Sequence, residues 1–248
     1  MEQPEKIAGG YHATAGPVFS RRGHLLFSDV PANRILKWER GEATLFRENS
    51  NGAKGNTFDH QGRLLTCEAG RVTRTEKDGK ITVLAGGLKD PRDLVYGIDG
   101  SIYVTDPPAG IVYQITRKGD LRPASRDCEH PFGVALAPNQ QRLFATDRAR
   151  RQIRVYDVAG DGSLGGSKVF ASCEGEPGGL KTDESGGAWV ACSTGVRHFD
   201  SAGKQLESVN LAEPADNCNW GEGFRNLYVT AGGSVYRVHA NVNGTRTY

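Results

Sequence analysis

The sequence predicts an all-β fold: a six-bladed β-propeller of four-stranded antiparallel blades. Three observations carry that reading. Strand endings in which hydrophobic residues run into Ser, Thr or Cys and then an acid recur at Ser28-Asp29, Cys67-Glu68, Thr105-Asp106 and Thr146-Asp147. Looser copies follow at Cys192-Ser193 and Thr230-Ala231, at spacings of 38 to 46 residues. A period near 40 residues built from short strands is that of propeller blades. The 33 glycines and 11 prolines, with a mean hydropathy of −0.50, point to tight turns rather than long helices. No stretch keeps a 3.6-residue apolar stripe over ten residues, so stacked helix pairs are excluded.

Each unit has the same parts in order. An inner strand comes first: A-G-P-V-F-S, K-G-N-T-F-D, R-D-L-V-Y-G, F-G-V-A-L-A, G-G-L-K-T-D and N-C-N-W-G-E. A turn and an alternating run follow, as in G-H-L-L-F, G-S-I-Y-V or R-N-L-Y-V, and then a further strand such as R-I-L-K-W or S-V-Y-R-V. Short segments rich in β-branched and aromatic residues, bounded by Gly, Asp or Asn, suit antiparallel sheet. The sixth unit stops soon after S-V-Y-R-V-H, short of an outer strand. Residues around Lys6–Tyr11 are expected to supply it and close the ring, which removes free sheet edges. Residues 1–248 thus form one domain.

Charge narrows the partners. With 31 basic and 29 acidic residues there is no basic patch for nucleic acid or a membrane surface. The cluster Arg148, Arg150, Arg151 and Arg154 lies among Asp147 and Asp157 and reads as a solvated edge. Five scattered cysteines without C-x-x-C indicate neither a disulfide framework nor a zinc knuckle. The charged start M-E-Q-P-E-K and the lack of a long apolar run lead to the expectation of a cytoplasmic protein. Nothing in the sequence sets the oligomeric state.

In a propeller, ligands bind where the central channel opens. The first residues of the six inner strands, Ala15, Lys54, Arg92, Phe132, Gly178 and Asn217, should converge there. At this point the chain resembles the senescence-marker-protein/gluconolactonase/luciferin-regenerating-enzyme family of six-bladed propellers. The resemblance rests on G-P-V-F with L-L-F-S-D-V-P-A-N-R-I-L-K-W, on G-N-T-F-D-H-Q-G-R-L-L-T-C-E-A-G, and on V-T-D-P-P-A-G, P-G-G-L-K-T-D and N-L-Y-V-T-A-G-G-S-V-Y-R-V, in that order. It implies hydrolysis of lactones, mostly sugar lactones, by one divalent cation on the axis that polarises the carbonyl and lowers the pKa of a water.

The residues that would hold the cation depart from the family pattern. Ala15 stands where the family has Glu, Phe132 where it has Asn, and Gly178 where it has Asp. Lys54 and Arg92 replace Asn, and the flanking positions carry Ala69 and Ala109 in place of His and Tyr; Asn217 keeps the expected type. A hard cation needs oxygen ligands, usually with a carboxylate. No metal and no other cofactor is therefore expected.

Two readings stand for Lys54 and Arg92: a site for a carboxylate or phosphate, or pairing with nearby acids such as Asp90, Asp93 or Glu68. Asp93 and Glu68 are candidate bases, whereas Asp106, like Asp29 and Asp147, is expected to cap a turn. His12 and His130 would rim the mouth, either titrating there or merely solvated. Cys128 and Cys218 lack a Cys–His–Asn spacing and read as buried thiols. Phe132 and Trp220 would line or plug the mouth. Three functions follow: metal-free action on a small anionic or cyclic compound, with Arg92 and Lys54 as anchors and Asp93 or Glu68 as base; a non-catalytic propeller binding a small molecule or a protein; or a metal lactonase whose ligands have moved to Glu68, Asp93 and Asn217.

Overall fold

The computed structural model describes residues 3–245 and contains six four-stranded antiparallel sheets. The inner strands are Thr14–Ser20, Asn56–Phe58, Leu94–Tyr96, Pro131–Leu136, Pro177–Thr182 and Ala215–Gly221. Each blade runs outward from its inner strand in chain order, except the sixth. There the outermost strand is Glu5–Gly9, which pairs with Ser234–His239. The first segment of the chain closes the ring, as expected, and Tyr11 N–H extends the join by donating to the Gly233 carbonyl at 3.1 Å. One short 3-10 turn, Pro107–Ala109, is the only helical element among the described residues.

Between the blades lies the core. Side chains that alternate along each strand pack against the sheets on either side, so the apolar clusters sit at blade–blade contacts rather than in one central mass. Trp189 and Trp220 meet edge to face at 5.5 Å between blades five and six, and Phe19 stacks on Tyr228 at 5.3 Å where blade one meets blade six. At about 25 cal/mol per Å² of apolar surface, burying aromatics of this size is what holds neighbouring blades in place.

A bulge opens four of the inner strands at the same place, and the strand pairing beyond it revises the alignment of two blades. The pairs Val95–Tyr103, Ala135–Phe144, Lys181–Trp189 and Asn219–Tyr228 are equivalent across blades three to six. Counting back from them places Asp216, rather than Asn217, level with Arg92, Phe132 and Gly178. The connection from inner to second strand is one residue longer in blades four and six than in blades three and five, so the 13-residue step from inner-strand start to strand ending that holds in blade three falls one short of Asp216 when counted back from Thr230. Likewise Pro177 pairs with Cys192 as Pro131 pairs with Asp147, so Ala191, not Cys192, matches Thr146.

Candidate functional site

The strand-end acids build the frame of the mouth. Asp29 accepts from the backbone N–H groups of His12 and Ala13 at 3.2 and 3.4 Å. Asp106 accepts from Lys89 and Asp90 at 2.7 and 3.0 Å, and Asp147 from Glu129 and His130 at 2.9 and 3.1 Å. All three carboxylates are fully buried. In each case the tethered pair lies two and three residues before the axial position, so the cap fixes where that residue enters the channel. Ser193 does the same for Glu176 in blade five, at 3.0 Å. Hydroxyls add a second tie between neighbours: Ser28 donates to the Lys54 carbonyl, Thr105 to that of Phe132 and Thr146 to that of Gly178, at 3.1, 2.6 and 2.7 Å.

On this frame the axial residues are Ala15, Lys54, Arg92, Phe132, Gly178 and Asp216. Arg92, from blade three, makes an ion pair with Asp216 of blade six. Blades three and six are opposite in a ring of six, so the pair crosses the channel. The Arg92 guanidinium also lies over the Phe132 ring at 4.5 Å, and Arg148 approaches the same ring at 4.5 Å while its Nε donates to Glu176 at 2.9 Å. Phe132 is thus held by two cations and is 5% exposed. Lys54 pairs with Asp90. Pairing with a nearby acid therefore holds for Lys54, whereas Arg92 reaches an acid far along the chain.

One layer deeper a second link spans the same two blades. Asp93 accepts from Asn217 Nδ2 at 3.1 Å and from the Val134 N–H at 3.2 Å. With both oxygens engaged and only 2% of the residue exposed, Asp93 supports the mouth from beneath. Two glycines make room for this arrangement. A Cβ on Gly179 would overlap the Asn217 amide, and one on Gly178 would overlap the Asp216 carbonyl oxygen.

Glu68 and Trp220 lie away from the axial ring, whereas His12 and His130 sit on the capped loops that lead into it. Glu68 is buried and accepts from Arg47, Arg71 and Thr73 at 2.7, 2.8 and 2.6 Å, which commits its lone pairs away from the axis. His12 and His130 are exposed on the loops entering blades one and four, with His12 Nδ1 3.7 Å from Asp29. Ala109 ends the 3-10 turn beside blade three. Trp220 does not line the mouth. It lies four residues along its strand from Asp216, at about 3.3 Å per residue, and donates to the Thr182 carbonyl at 2.8 Å in the opposite half of the channel. Burial pushes the Cys218 thiol up to about 12 and the Cys128 thiol up to about 11, so neither is poised as a nucleophile. Sequence reasoning missed Asp216, hidden by the longer turn after its strand, and Arg148, whose stacking partner is set by the turn between two strands.

The chemistry of the axial donors does not fit a divalent cation. Ala15, Phe132 and Gly178 offer no side-chain oxygen, Lys54 and Arg92 bring positive charge, and the one carboxylate, Asp216, is held by Arg92.

Residues 13–233 match the family described as SMP-30/Gluconolactonase/LRE-like region. A gluconolactonase of Zymomonas mobilis is 26% identical over an alignment that covers 97% of this chain and 82% of its own. Among solved structures, a gluconolactonase of Xanthomonas campestris superposes with a TM-score of 0.88 at 26% identity, covering 98% of this chain and 95% of that one. The calcium-binding protein regucalcin of Agrobacterium tumefaciens shares the fold at 13% identity, with a TM-score of 0.85 over 100% of this chain and 96% of its own.

Proposed function

The chain belongs to the SMP-30/gluconolactonase/LRE-like family, and from that premise we propose that its mouth is rebuilt to take a small carboxylate without the family's metal. The observation that carries this reading is the Arg92–Asp216 pair across the axis. Asp216 is an internal carboxylate seated on a guanidinium, which presents planar donors suited to that group. Arg92 and Asp216 are 21% and 19% exposed, so the pair is reachable from solvent. A ligand carboxylate would exchange with Asp216 on Arg92, with Lys54 as a second positive charge and Phe132 as the flat wall beside it.

The named activity of the relatives bears on the ligand. Opening a sugar lactone with water yields a hydroxy acid, whose carboxylate is the group Arg92 recognises. Sugar acids and their lactones are accordingly the first compounds to test. Asp216, once released from Arg92, is the one axial carboxylate available to draw a proton from water. Asp93 and Glu68 keep structural roles in this reading, since their oxygens are committed.

The test is a thermal-shift screen of gluconate, glucono-lactone and short carboxylates on wild type and Arg92→Ala, with lactone hydrolysis measured with and without chelator. Stabilisation of wild type that is lost in Arg92→Ala supports the reading. Chelator-sensitive turnover together with stoichiometric bound metal would overturn it and favour a metal lactonase instead. If a ligand binds but is not turned over, the protein is a binding propeller.

A further inference from the structure

We propose that the other end of the channel holds a small monovalent anion, of the size of a halide, on Lys181. This side chain comes from the inner strand of blade five, three residues beyond Gly178, and only 8% of it is exposed. Its ammonium group has three N–H donors, and one carbonyl, that of Leu180 at 3.0 Å, accepts from it. No carboxylate of a described residue lies within 4.0 Å of it. The two acids already described in the channel serve others: Asp93 holds Asn217 and Val134, and Asp216 holds Arg92.

A charge taken out of water is tolerated when something pairs with it. None of the other residues lining the cavity beside Lys181 carries a charge. Val95, Ala135 and Trp220 present apolar surface, Trp220 Nε1 is spent on the Thr182 carbonyl, and the Thr182 hydroxyl donates to Leu136 O at 2.7 Å while meeting Thr245 Oγ1 at 2.8 Å. These residues line a cavity of about 30 Å³, room for a particle of about one water's size. Tyr96 and Gln140, both half-buried, stand at its edge and give a route from solvent. Charge, size and surroundings together specify the ligand class: a compact anion carrying one negative charge. This site is separate from the Arg92 mouth and does not depend on the reading given above.

The experiment compares melting temperatures in sodium bromide and in sodium isethionate, whose anion is too large for the cavity, at matched ionic strength. Wild type should melt about 2–4 °C higher in bromide once the site fills. Lys181→Met should show no difference between the two salts. Diffraction from wild-type crystals grown in bromide should give an anomalous peak within hydrogen-bond reach of Lys181 Nζ, and this arm does not depend on the variant folding. Equal melting of wild type in both salts, or crystals with no peak at Lys181, would overturn the proposal.

Discussion

The axial ring and the ring of caps just behind it differ in how far their residues vary from blade to blade. At the caps, Asp29, Asp106 and Asp147 each receive two backbone N–H groups in the same geometry, and Ser193 imitates them in blade five. At the axis the six residues are Ala, Lys, Arg, Phe, Gly and Asp, no two alike. The caps answer to the backbone, which offers every blade the same unpaired donors. Axial side chains project into a shared space and answer only to one another and to a ligand. A scaffold of this kind can exchange its chemistry while keeping its frame.

The largest effect is expected where the two rings touch. Restoring a family-type carboxylate with Gly178→Asp sets a side chain against the Asp216 carbonyl oxygen, which is backbone and cannot step aside. The expected cost is about 3 kcal/mol or more, seen as a fall in melting temperature of about 6–12 °C. A variant as stable as wild type would show that the axial ring is less interlocked than the contacts imply. Removing a cap comes next. Asp106→Ala removes the acceptor of the part-buried N–H groups of Lys89 and Asp90 and should cost about 1 kcal/mol by urea denaturation. Because those residues lead into Arg92, it should also weaken any carboxylate bound there, whereas Asp147→Ala, in blade four, should spare Arg92 more.

The contrast also explains what the sequence made legible. Caps recur, so Asp29, Asp106 and Asp147 announced both the blade count and their own structural role. Ala15, Phe132 and Gly178 were readable as departures because a Gly or Pro beside each keeps the register visible. Asp216 was not, since the longer connection between the inner and second strands of blade six moves the register by one, which only the sheet pairing exposes. Nor was the cross-axis pairing of Arg92, because partners 124 residues apart meet through ring closure and not through any local pattern. Trp220 was misplaced for a related reason: alternation along a strand says which way a side chain faces, and depth along the channel must be counted separately.

Smaller in stability, but sharper for function, is Arg92→Ala. The pair with Asp216 is partly exposed, so its loss should cost no more than about 1 kcal/mol, including the stacking on Phe132. Carboxylate affinity should fall at least about tenfold, in line with the loss of a charged hydrogen-bonding anchor. Asp216→Asn should do the opposite and tighten binding, since it removes the internal competitor. Isothermal titration of both variants tests this, and parallel losses of affinity would indicate that the pair is structural.

The smallest effect tests whether the frame is equally uniform where the ring closes. Glu213 accepts from the Gly233 N–H at 2.9 Å, from the Ser234 and Tyr236 hydroxyls at 2.5 and 2.9 Å, and from Lys6 at 3.2 Å beside the strand that completes blade six. Burial alone would raise its pKa, but these donors outweigh it and bring the carboxyl down to about 2. A folded-state value below the unfolded one means the ionised form favours the native state. That contribution is complete above pH 4.5 and disappears as pH falls toward 2. Its side chain is 28% exposed, so solvent screens the gain. Glu213→Gln should therefore lower stability modestly at neutral pH and flatten the acid limb of a melting-temperature profile between pH 4.5 and 2. An unchanged acid limb would mean that closure rests on strand pairing alone, and that this acid, unlike the three caps at the mouth, is dispensable to the frame.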